Sequence, residues 1–185
     1  EKVPDWLTVQ RNGVAERGGV ILSLDGDDPD GMAGIDPSLF TAWARAVHRD
    51  CKAFYDGMDL GRNVWCIAGA ATPKWAQKVF PGLPENEAVE RLWQALLSTA
   101  RADGPDPAQA WADHAAGFQR RIKLLTQRQF DRVRYTASNG TDLTVGLPPR
   151  HRWHGGGIDN EEGVYYFPNM PTEEIFTSPD RTRTH

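Results

Sequence analysis

Two short apolar runs do most to constrain what this chain can fold into. They are Val20-Ile21-Leu22-Ser23-Leu24 and Val64-Trp65-Cys66-Ile67-Ala68, each closed off by turn-forming residues. Runs of this length and character read as strands buried on both faces. Between them Leu39, Trp43, Ala46, Val47 and Phe54 recur at helical spacing. Two strands joined through a helix cannot form a hairpin, so the connection is a right-handed crossover and the strands lie parallel. The first expectation is therefore an α/β fold: a partial parallel sheet with flanking helices.

Local signals agree with this order. Trp6 to Glu16 is a short helix candidate ahead of Gly18-Gly19. Asp36-Pro37 supplies a side-chain acceptor at the N-cap and a proline in the first turn, opening a helix that runs from Leu39 to about Met58 and stops at Gly61-Arg62-Asn63. Three more helices follow, over Thr72-Pro73 to Phe80, Ala88 to Arg101, and Ala108 to Leu125. The last has Trp111, Ala115, Phe118, Ile122 and Leu125 on its apolar face.

Beyond Gln129 the period changes from helical to two. Phe130-Asp131-Arg132-Val133-Arg134-Tyr135-Thr136 alternates as a half-buried strand, Ser138-Asn139-Gly140 is a hairpin turn, and Thr141 to Leu147 is the returning strand. His151 to Gly157 reads as loop, Gly163 to Phe167 as a strand, and Asn169-Met170-Pro171 as a tight connection before Ile175-Phe176. The expected division places an α/β N-terminal-type domain at 1–128, its start missing. Residues 129–185 are an antiparallel β region that begins a catalytic domain, its remainder missing. A two-stranded parallel unit followed by an unfinished β layer is uncomfortable as a whole protein.

Composition narrows the function classes. A formal charge of −4 across 185 residues gives no electrostatic footprint for nucleic acid. No stretch approaches the ~20 apolar residues needed to cross a bilayer, and the first residues show no basic-then-apolar leader. Cys51 and Cys66 are too few for a disulfide scaffold and read as two free core thiols, which points to the cytoplasm.

Chemistry has few places to reside. In Pro171-Thr172-Glu173-Glu174-Ile175-Phe176-Thr177, adjacent carboxylates on a strand face opposite ways, so one of them could serve as a ligand for a divalent cation. On spacing alone a solvated acidic pair is favoured. His151 and His154 read as an exposed loop pair, and Gly155-Gly156-Gly157 as a flexible turn matching neither phosphate-binding fingerprint. Asp142, beside Thr141, either supports a site or bonds the turn backbone. The acidic cluster Asp25 to Asp30 lacks EF-hand spacing. No Gly-x-Ser-x-Gly elbow is present.

Several longer strings carry a resemblance. Trp65-Cys66, Pro73-Lys74-Trp75-Ala76 with Val79-Phe80-Pro81, Leu92-Trp93 and Ala110-Trp111 are joined by Gly140 to Leu147, His151-Arg152-Trp153 and Phe167 to Pro179. In these strings the chain resembles the thermophilic metalloprotease family (aminopeptidase T / aminopeptidase S type). The resemblance implies an exopeptidase that removes N-terminal residues from peptides with two divalent ions of the Zn, Co or Mg type, and a tendency to form homodimers. It implies one metal ligand within this chain, Glu174, with Glu173 as the fallback. The other ligands fall outside these residues, so the portion alone is expected to be inactive and to bind no ion tightly. Asp142, Thr141 and His151 are the residues expected to support the site or simply the structure. No nucleic-acid or membrane partner is expected. The competing expectation is a non-enzymatic α/β module for ligand binding or assembly.

Overall fold

A computed structural model describes residues 2–185. In chain order its elements are α1 (Asp5–Glu16), β1 (Ile21–Asp25), α2 (Pro37–Asp50), α3 (Lys52–Asp59), β2 (Trp65–Gly69), α4 (Pro73–Val79), α5 (Glu85–Thr99) and α6 (Pro107–Arg128). The second half adds β3 (Arg132–Thr136), β4 (Asp142–Gly146), β5 (His154–Gly155), β6 (Ile158–Asp159), β7 (Tyr165–Tyr166), β8 (Asn169–Met170) and β9 (Ile175–Phe176), then a 3-10 turn at Arg181–Arg183. The fold is mixed α/β, as the two apolar runs require.

The described residues form two compact units: those up to Pro105 with Gly157–Thr172, and Asp106–Gly156 with Glu173–His185. Compactness therefore groups α6 with the hairpin that follows it and returns 157–172 to the first unit, whereas the change in sequence period falls at residue 129.

In the first unit β1 and β2 pair in parallel, Ile21 opposite Trp65 through Asp25 opposite Gly69. The segment read as a tight connection, Asn169-Met170, instead adds a third parallel strand: β8 lies beside β2, with Ile67 opposite Asn169. Two residues between prolines show no periodicity, so nothing in the sequence could mark them as strand. On β1, Ile21 is buried, while Leu22 and Leu24 on the alternate positions are exposed, as is Val20 just ahead of the strand.

The long helix expected from Leu39 to Met58 is two helices. Asp36 accepts from the Ser38 amide (2.8 Å) and Pro37 opens α2, but the run breaks at Cys51 (φ −99°, ψ 33°). Cys51 is wholly buried with Val3, Ala46 and Val47, against Leu7, Phe54 and Tyr55. Backbone groups left poorly paired at such a break are costly when buried. Asn12 of α1 serves both sides of it, donating from Nδ2 to the Asp50 carbonyl (3.0 Å) and accepting at Oδ1 from the Phe54 amide (3.2 Å). Apolar periodicity runs straight through Cys51, so the break was invisible without the partner helix.

Asn63, only 3% exposed, performs a similar task between elements: its Nδ2 donates to the carbonyls of Ala15 (3.2 Å) and Gly19 (3.0 Å). A second cluster, Ala76, Ala88 and Leu92 with Trp75 and Leu96, packs α4 on α5. It reaches the sheet at Gly69, where a Cβ would meet Leu96 at 2.8 Å.

In the second unit β3 and β4 form the expected antiparallel hairpin, Arg132 opposite Gly146 through Thr136 opposite Asp142. The last residues, expected to lack a closing element, extend this layer. Asp180 bridges Gly146, and Thr144 exchanges backbone hydrogen bonds with His185 (2.7 and 2.9 Å). Arg183 ties the layer together, donating to Asp131 (2.6 Å), Asp180 (2.8 Å) and the Leu147 carbonyl.

This ion cluster carries a pH prediction. The Arg183 guanidinium, with hydrogen bonds from Thr182, holds the Asp180 carboxyl down at about 2 instead of its ordinary 3.8. A carboxyl whose folded pKa is depressed contributes stability above the unfolded value and loses it as pH falls through the folded one. Protection of the Thr144 and His185 amides, taken relative to the intrinsic exchange rate at each pH, is expected to hold above pH 4 and to fall towards pH 2. In Asp180→Asn, which carries no charge to titrate, that fall is expected to shrink; an unchanged profile would assign it to another group.

Candidate functional site

The acidic motif spans the division between the two compact units, Thr172 closing the first and Glu173 opening the last segment of the second. Thr172 is 2% exposed and its hydroxyl donates to the Asn169 carbonyl (2.8 Å). This ties the residue before the carboxylates to β8.

Within the second unit, Glu173 and Glu174 are both exposed and lead into β9. β9 pairs antiparallel with β5, His154 opposite Phe176 and Gly155 opposite Ile175. The Thr177 hydroxyl donates to the Arg152 carbonyl (2.6 Å), pinning the far end of the strand.

The two carboxylates have different surroundings. Oε1 of Glu173 stands 3.8 Å from Nε2 of His114 on α6, whose side chain is 7% exposed. The His114 ring is held edge-on between Trp111 (5.6 Å) and Phe118 (4.7 Å). Glu174 accepts from the Glu173 amide at Oε2 (3.2 Å) and forms no ion pair among the described residues. An exposed carboxylate just ahead of a short strand is a suitable donor for a hard or borderline divalent cation. By its chemistry Glu174 fits the role of a metal ligand.

The other expected residues stand elsewhere. Asp142 is held by Arg134 in a two-pronged pair (2.7 Å on each oxygen), and that guanidinium lowers its pKa. Thr141 donates from its amide (3.1 Å) and its hydroxyl (2.8 Å) to Oδ1 of Asn139, shaping the hairpin turn. Neither has a hydrogen bond or ion pair with Glu174.

His151 corrects the expectation of an exposed loop pair: it is 6% exposed, while His154 is exposed on β5. Nδ1 of His151 lies 3.0 Å from the Pro148 carbonyl, an acceptor, so Nδ1 is assigned the hydrogen. Nε2 is then a buried acceptor with no partner in the structure. The main chain around His151 explains the burial. Gln129 donates to its carbonyl (2.9 Å), and Thr126 accepts from the Trp153 amide (3.1 Å), folding the loop onto the end of α6. A polar, proline-rich segment gives no hint of this in sequence.

Among the described residues no group of three or more His, Cys, Asp and Glu side chains could hold a metal ion. Both cysteines are free thiols, as expected, and burial raises the pKa of Cys66. No helix of the described residues is long and apolar enough to cross a membrane.

His114 was missed in sequence, although it falls three residues after Trp111 and four before Phe118, on the face already marked as apolar. That spacing was the available signal.

The fold and the acidic motif leave the class of protein open, and the comparisons with known proteins supply it. The profile of the thermophilic metalloprotease (M29) family matches residues 1–185. The chain belongs to that family.

Aminopeptidase PepS of Streptococcus thermophilus is 37% identical over 186 residues, covering 100% of this chain and 45% of the relative. Aminopeptidase T of Thermus thermophilus is 37% identical over 183 residues, covering 99% and 45%. Among solved structures, wild-type AmpT from Thermus thermophilus superimposes with a TM-score of 0.85 at 36% identity, over 99% of this chain and 44% of that one. The chain thus spans just under half the length of the relatives it matches.

Proposed function

We propose that this chain is a portion of a metal-dependent aminopeptidase that hydrolyses N-terminal residues from peptides. Glu174 contributes one carboxylate to a pair of divalent ions, and Glu173 is the alternative ligand. The observation that carries this reading is the exposed Glu174 carboxylate, without an ion pair among the described residues, in a chain whose whole length matches a metalloprotease family. Residues 129–185 are proposed to begin the catalytic domain, and Asp142, Thr141 and His151 to support its structure. The exposed Leu22 and Leu24 on β1 are in keeping with sheet strands contributed by sequence outside these residues. A cytoplasmic location and a homodimer belong to the same proposal.

When bound, the ions supply a Lewis acid for the scissile carbonyl and lower the pKa of a water. The work of this chain's residues is narrower. Glu174 offers a negative oxygen next to the β5–β9 pairing, while the Glu173 carboxylate turns towards the His114 ring. One carboxylate cannot hold an ion against water, so the 185 residues alone are proposed to be inactive.

An aminoacyl-p-nitroanilide assay tests this reading. The complete gene product is expected to release nitroaniline and to stop on addition of a chelator, resuming with added divalent ion. The 185 residues alone are expected to show no release. Turnover by them, or turnover of the complete product indifferent to chelation, would contradict the proposal.

A further inference from the structure

The three consecutive glycines at 155–157 look like a flexible turn in sequence, yet two of them, Gly155 and Gly156, are closely packed within the second unit. Gly155 is in β5, directly opposite Ile175 of β9. A Cβ at Gly155 would fall well inside contact with the Glu174 carbonyl oxygen, and 3.0 Å from the Ile175 Cα. Its obstacles are backbone, which cannot rotate away.

Gly156 faces the other way. It is buried at φ +74°, and a Cβ there would meet Cγ and Cδ2 of Phe118 at 3.0 Å. Phe118 is itself completely buried on α6, one helical turn beyond His114. The chain at 155–156 is thus a thin layer between the Phe118 ring and the backbone that bears Glu174.

We propose that Gly155 and Gly156 are positioning residues for the Glu174 carboxylate. Without Cβ atoms, β5 sits close to both Phe118 and β9, so the rigid face of α6 sets where the Glu174 main chain stands. A methyl group at either position pushes β9 outward and carries the carboxylate with it. Metal sites tolerate little such movement, because a ligand displaced by about 1 Å no longer meets the ion in the geometry its partners require. This inference rests on the reading of Glu174 as a ligand.

The test uses the complete gene product, freed of metal and titrated with Co2+, whose visible absorption reports the coordination of the bound ion. Gly155→Ala and Gly156→Ala are expected to weaken Co2+ binding about 10–100-fold, the scale seen when groups behind a ligand are removed, and to alter the absorption band. Gly163→Ala is the control for backbone strain alone: Gly163 has φ +78° but nothing within 4 Å of its would-be Cβ. It is expected to lose thermal stability yet bind Co2+ as the parent does. Adding Phe118→Leu to Gly156→Ala makes room for the methyl group and is expected to recover most of the affinity.

Where Gly155→Ala fails to fold, Gly156→Ala and its rescue decide the question. Unchanged Co2+ affinity in Gly156→Ala, with binding lost in Glu174→Gln, overturns the positioning role and leaves the ligand in place. Unchanged Co2+ binding in Glu174→Gln removes the ligand reading and the inference with it.

Discussion

Glu174→Gln is expected to lower kcat of the complete gene product by about 10²–10³-fold, the scale of losing one group that stabilises charge at a reacting centre. Glutamine preserves the length of the side chain and one carbonyl oxygen, and it loses the negative charge. Because Glu174 is exposed and its carboxylate accepts from the neighbouring Glu173 amide rather than from a distant element, the substitution is expected to leave folding nearly untouched. Metal content should fall together with activity, and excess divalent ion should restore part of both. Glu173→Gln is expected to behave as an ordinary exposed substitution, since that carboxylate faces the His114 ring. A reversal, with Glu173→Gln the silent enzyme, would move the ligand to Glu173. Substrate turnover and metal content measured on the two variants side by side decide between them.

Phe118→Ala is expected to cost about 3–5 kcal/mol of stability, the range for emptying a fully buried aromatic position. Phe118 is 0% exposed, lies against the His114 ring (4.7 Å), carries Arg121 over its ring (5.8 Å) and backs Gly156. The glycine beside it has no side chain with which to fill the space, so the cavity closes only by moving backbone. Urea unfolding measures the loss, and hydrogen exchange locates it. Protection should fall first at the β5–β9 pairing and at the exit of α6. Phe118→Leu is expected to lose less, since it keeps much of the volume. A Phe118→Ala chain as stable as the parent would show that α6 is not the wall against which β5 and β9 are set.

Both predictions concern the same few residues, and the sequence revealed them unevenly. Apolar periodicity was enough for α6, because Trp111 and Phe118 recur on one face of a helix opened by Asp106-Pro107. It was enough for β1 and β2 and for the hairpin, whose Ser138-Asn139-Gly140 turn lies where the period of two reverses. It failed at Cys51, where Asn12 from another helix holds a break that the apolar pattern passes through. It failed again at β8 and β5, which are two residues long and take their conformation from the strand beside them.

The candidate site divides along the same line. Glu173-Glu174 was visible as a motif, but its meaning came from resemblance, because adjacent carboxylates are more often simply solvated.

By itself, then, the sequence determined the α/β class, the order of the longer elements, and a family carried by strings such as Gly140–Leu147 and Phe167–Pro179. These are properties written in consecutive residues. Only the tertiary structure decided that His151 is buried, that Glu173 faces His114, and that Gly155-Gly156 is a spacer and no hinge. Each of those depends on which distant backbone comes within contact distance. For a glycine, whose only signature is the side chain it lacks, the difference between freedom and close packing exists only once Phe118 and Glu174 stand on either side.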